Sequence, residues 1–136
     1  MRGIACIALV CAVVLTGCEP LGPDELQREV ESVGSVAAEG SVLAGEVAEQ
    51  NTKRTFARVQ ARELADAAEH SAERLTDAHP AEGLRDDTAR AIDLSEQVSS
   101  AVGEIEVAPD DAAGAASAAD RLRALATRAD SLAGQL

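Results

Sequence analysis

Four stretches of this chain repeat apolar or small residues at alternating intervals of three and four, each over 22 residues. The first ladder is Leu26, Val30, Val33, Ala37, Gly40, Ala44 and Val47, with Val36 and Leu43 beside it. The second is Ala57, Ala61, Leu64, Ala68, Ser71, Leu75 and Ala78, widened by Phe56 and Val59. The third is Leu84, Thr88, Ala91, Ser95, Val98, Val102 and Ile105, widened by Ile92 and Leu94. The fourth is Ala115, Ala118, Leu122, Leu125, Ala129, Leu132 and Leu136. Such spacing keeps side chains on one side of an α-helix, and 22 residues at 1.5 Å each extend about 32 Å. The charges mostly fall off the stripes, as do Arg62, Glu63, Asp66, Glu69 and Glu73 in the second ladder. No segment alternates polar and apolar with the period of a strand.

The boundaries carry their own chemistry. Pro23 suits a first helical turn, and Asp24 and Glu25 lie at the positive end of that helix dipole. His79-Pro80-Ala81-Glu82-Gly83 separates the second ladder from the third, with Asp86 and Asp87 early in the next helix. Ala108-Pro109-Asp110-Asp111 separates the third from the fourth. Gln50-Asn51-Thr52-Lys53, between the first two, has neither proline nor glycine. An unbroken helix there would gain a Glu49–Lys53 pair, but it would carry Asn51, Arg54 and Arg58 at core positions. A break is the better solution, with Asn51 as a left-handed cap.

Four equal ladders with short joins predict an all-α, up-down four-helix bundle, with helices at about 24–49, 52–78, 83–106 and 110–135. The alternative is one long helix through the first two ladders, joined by two shorter ones. Leu, Ile, Val and Phe make up 23 of the 119 residues from Cys18 onward. That share borders on the composition of disordered chains, so the core must be thin and Ala-rich. Gly34, Gly40 and Gly45 each cost the first helix up to about 1 kcal/mol relative to alanine.

The N-terminus reads differently. Arg2 is followed by a charge-free run over residues 4–15, too short for the roughly 20 residues that span a bilayer as a helix but suited to an export signal. Leu15-Thr16-Gly17-Cys18 resembles the lipobox of bacterial lipoproteins. The resemblance implies that residues 1–17 are a signal peptide removed before Cys18. It also implies that the Cys18 sulfur carries diacylglycerol, with long acyl chains such as palmitate. Residues 18–23 would then be lipid anchor and tether, residues 24–136 the helical domain, and the location the extracytoplasmic face of a cell membrane. Cys6 and Cys11 would leave with the signal, and no free thiol would remain for a disulfide, a nucleophile or a metal.

Removing Arg2 leaves 11 basic against 24 acidic residues. This excess opposes binding to nucleic acid, whose phosphates require a basic surface. Asp66, His70, Glu73 and Asp77 share one helical face and could be imagined around a cation. Inward-facing di-metal bundles, however, repeat Glu-x-x-His on two helices, and position 67 is Ala with no second copy. No metal or cofactor is expected. Nor does any nucleophile–base pair, phosphate loop or nucleotide fingerprint occur, so no catalytic residue and no enzyme activity is expected.

One local feature stands out. Residues 19–49 carry eight acids and one base, whereas residues 53–62 carry four bases, Lys53, Arg54, Arg58 and Arg62, and no acid. Pairing with Glu46 and Glu49 would make this strip internal; a docking strip for a partner is the sharper reading. The expected role is a membrane-anchored structural or protein-interaction module, with a protein partner or self-association. Two alternatives are a binding protein for a small apolar ligand, and a wall-associated lipoprotein. The second would be non-covalent, because the murein lipoprotein family uses a terminal lysine where this chain reads Ala133-Gly134-Gln135-Leu136.

Overall fold

The computed structural model describes residues 20–136. Four helices pack antiparallel: α1 (Pro23–Ala48), α2 (Arg54–Asp77), α3 (Arg85–Val107) and α4 (Ala112–Ala133). The most extensive contacts are α1 with α4 and α2 with α3, so two tight pairs make up the bundle. The long-helix alternative is excluded. It would hold Leu26 and Leu75 about 74 Å apart, whereas Glu29 and Arg74 form an ion pair at 2.7 Å.

All four ladders face the core. Every member is buried except Ala78, Leu84 and Leu136, which are half-buried near helix ends. Leu26, Leu75, Leu94, Ile105 and Leu122 are the largest side chains fully enclosed. Two residues expected to widen the second stripe do not. Phe56 and Val59 are 58% and 53% exposed. At 100° per residue Val59 stands about 200° from Ala57 and so points outward, while Phe56 lies one step off the stripe in the first turn. The buried hydroxyls return to their own helices or meet a neighbour. Ser95 donates to the Ala91 carbonyl at 2.9 Å, and Thr88 to that of Leu84 at 2.8 Å. Ser71 accepts from Arg74 at 3.0 Å.

The α1–α2 break is closed by a Schellman arrangement. The Asn51 N–H donates to the Glu46 carbonyl at 2.9 Å and the Gln50 N–H to that of Val47 at 3.0 Å. The left-handed residue is Gln50, with φ 60°, and not the Asn51 expected from sequence. Because α1 ends at Ala48 with Glu49 as its cap, the left-handed position falls one residue earlier. Asn51 instead donates its side-chain amide to Glu49 at 2.9 Å. At the α2–α3 turn the positive φ of 91° falls on Gly83, which has no Cβ to obstruct it.

The segment before α1 is not free. Leu21 is buried, its N–H donates to the His79 carbonyl at 2.8 Å, and its carbonyl accepts from Ala81 at 3.1 Å.

Gly34 and Gly40 have a packing role that composition conceals. A Cβ on Gly34 would lie 2.9 Å from the Ala129 Cβ, and one on Gly40 would lie 2.9 Å from Val102 Cγ2. A Cβ on Gly45 would meet nothing within 4 Å. Gly34→Ala and Gly40→Ala should therefore destabilise by about 1–3 kcal/mol through overpacking. Gly45→Ala should stabilise by up to about 1 kcal/mol, and Gln50→Gly by about 1 kcal/mol through relief of the left-handed strain. Denaturant midpoints of the four variants check this; equal destabilisation by all three alanines would refute the close-packing account.

Candidate functional site

The basic strip occupies the first three turns of α2, on the side turned toward α3. Lys53 precedes α2 without a side-chain cap, and no acid lies in the first turn. Two of these cations, Lys53 and Arg54, thus sit at the unfavourable end of a helix dipole, and carboxylates at the end of α3 and in the turn after it compensate part of the strip. Arg54 pairs with Asp110 in the α3–α4 turn, and Arg62 pairs with Glu106 near the end of α3 at 2.6 Å. The sequence pointed to Glu46 and Glu49 on α1 as internal partners. The structure uses α3 instead, because the strip projects away from α1. Lys53 and Arg58 have no ion-pair partner among the described residues.

Ion pairs also tie the other helices together. Arg74 grips Glu29 through two hydrogen bonds, at 2.7 and 3.2 Å, across α1 and α2. Arg121 grips Glu104 across α3 and α4, one bond being 2.9 Å. These hydrogen bonds hold the Glu104 carboxyl below the usual glutamate range and raise both arginines further above theirs.

The acidic side of α2 does not converge. Asp66 and Asp77 are 11 residues apart, about 16 Å along the helix. The His70 Nδ1 donates to the Asp66 carbonyl at 2.7 Å, back into its own helix. Among the described residues no group of three or more His, Cys, Asp or Glu side chains is arranged to hold a metal.

Two open grooves flank α3. One, of about 500 Å³, lies between α3 and α4 and has an apolar lining that includes Gly103, Ile105, Ala115 and Ala118; Val107 at its edge is 83% exposed. The other, of about 660 Å³, lies between α2 and α3 and collects Glu69, Glu73, Asp77 and Glu96. Sequence spacing put the first three of these acids on α2, but the addition of Glu96 from α3 needed the tertiary structure.

Cys18 and the lipobox lie outside the described residues. No described helix is long and apolar enough to cross a membrane. No protein-family model, curated protein or solved structure matches this chain.

The Glu104–Arg121 pair generates a pH prediction. A carboxyl whose folded pKa is depressed adds stability above its unfolded pKa and loses it as pH falls through the folded value. Both side chains are about half exposed, so the contribution is small, at most about 1 kcal/mol. Glu104→Gln should lower stability by that amount near neutral pH and by less at an acidic pH below the depressed folded value. Urea unfolding at both pH values measures it, and a deficit that persists in acid would assign the effect to packing.

Proposed function

We propose that this chain is an extracytoplasmic lipoprotein, anchored through lipid on Cys18, whose bundle binds other macromolecules and does not catalyse. The observation that carries the anchor is Leu15-Thr16-Gly17-Cys18 at the end of a charge-free run of 12 residues. The position of Leu21 supports the same reading. Two residues, Glu19 and Pro20, separate the lipid-bearing Cys18 from a buried, hydrogen-bonded Leu21, a reach of at most about 11 Å over three residue steps. The bundle would therefore rest against the membrane surface without a long stalk.

Binding in place of catalysis is supported by where the titratable groups lie. The shifted ones, Arg74, Glu104 and Arg121, belong to exposed ion pairs between helices, and such pairs hold structure together without poising a proton. The contact surface would be the α2 strip, where Lys53 and Arg58 remain available beside Arg54 and Arg62. Arginine is suited to carboxylates through its planar fork of donors.

Cys18→Ser tests the anchor. It should accumulate as unprocessed precursor with no added lipid mass and leave the detergent phase. A variant that is still cut after Gly17 and still partitions into detergent would overturn the proposal.

The α3–α4 groove favours a second reading, a small apolar ligand held over Gly103, Ala115 and Ala118. Fatty acids of graded length should then raise the melting temperature, and Gly103→Leu, at a lining position where an added Cβ meets nothing within 4 Å, should abolish the rise by filling the groove. An unmoved melting curve removes this reading.

A further inference from the structure

The charges on α2 are ordered along the helix. Residues 53–62 hold four bases and no acid; residues 63–77 hold five acids and one base, Arg74, which is turned to α1. The basic ladder Arg54, Arg58, Arg62 and the acidic ladder Glu69, Glu73, Asp77 both step by four. Each base lies as far before the midpoint between residues 65 and 66 as one acid lies beyond it: Arg62 with Glu69, Arg58 with Glu73, Arg54 with Asp77. Equal steps on either side keep all six on a single helix face centred on that midpoint. Glu96 of α3 joins the acidic half across the groove. None of Glu69, Glu73, Asp77 and Glu96 has an ion-pair partner among the described residues, and neither does Arg58.

We propose that this face recognises a second copy of the chain, in an antiparallel pairing with the two-fold axis at residues 65–66 of α2. A two-fold interface is self-complementary: if residue i meets j, then j meets i. Turning one α2 about that axis lays its basic half on the acidic half of the other, and brings Arg58 opposite Glu73 twice. A foreign polyanion lying along α2 would gain the bases but then run into the acids of the same face. A second copy satisfies both halves. Arg54 and Arg62 can serve both copies, since each guanidinium has five donors and both are more than 60% exposed beside their internal partners.

Exposed pairs are individually weak, so the dimer should be salt-sensitive and favoured by confinement to a membrane surface, which raises effective concentration. The antiparallel arrangement places the two Leu21 ends at opposite ends of the pair. With a short tether, both anchors reach one membrane only when the helix axes lie along its surface. The inference rests on the strip being the contact surface and is independent of the anchor.

Sedimentation velocity of the full chain in density-matched detergent provides the test. Dimer is expected at low salt and monomer near 0.5 M salt, where screening reaches only about 4 Å. Arg58→Glu and Glu73→Arg should each weaken the dimer about tenfold with helicity and melting unchanged. Combining them should restore it, because the swapped charges again meet across the two-fold axis. A chain that is monomeric at low salt overturns the proposal and leaves the strip to a foreign acidic partner. A dimer indifferent to either reversal, or not restored by the double variant, overturns it equally. The Cys18→Ser chain should pair like the parent, so loss of pairing and loss of the anchor are separate readouts.

Discussion

Gly34 and Gly40 set how near α1 can come to α4 and α3, and in a core this thin that distance governs the rest. Buried apolar area contributes only about 25 cal/mol per Å², and many ladder positions are alanine. Alanines touch across helices only when the backbones approach closely. The 2.9 Å between a hypothetical Gly34 Cβ and the Ala129 Cβ measures how fully that approach has been used. Close packing here also lets Leu122 and Val102 reach Gly40 and so links three helices at one level.

Outside the core, a different device fixes the register of the helices. Arginines reach from one helix to a carboxylate on the next, in Arg74–Glu29, Arg62–Glu106 and Arg121–Glu104. Such pairs contribute little stability each. Their value is directional, since sliding a helix by one turn would set like charges together in a strongly acidic chain. The Leu21 backbone bonds to the α2–α3 turn act similarly at the N-terminal end of α1.

The same arrangement explains why the surface of α2 is uneven. Its basic start is partly neutralised by α3, whereas the acids of its second half face a groove with no described cation. A face ordered in this way is matched best by its own inverse, which a second copy supplies. The apolar α3–α4 groove is a separate feature on the other side of α3, open because those two helices pack less extensively than the tight pairs.

The pattern of threes and fours was enough to place four helices and their core faces, and prolines marked two of the three breaks; the break between α1 and α2 was decided by the tertiary structure. Helix periodicity is local, and an up-down bundle buries four such stripes with short joins. The basic strip was equally legible, because charge order along a helix is sequence order. Sequence did not reveal that Gln50 in place of Asn51 would turn left-handed, since one residue of helix length decides it. Nor did it reveal the exposure of Phe56 and Val59, or the docking of Leu21. The role of Gly34 and Gly40 was also hidden: the helix-propensity cost is readable from the residue type, but the neighbour that makes glycine necessary is not. Likewise, which carboxylates meet Arg54 and Arg62 depends on how α2 is rotated against α3. Local chemistry determined the elements; the rotation and separation of the helices, set by packing between residues distant in sequence, decided which surfaces remain for a partner.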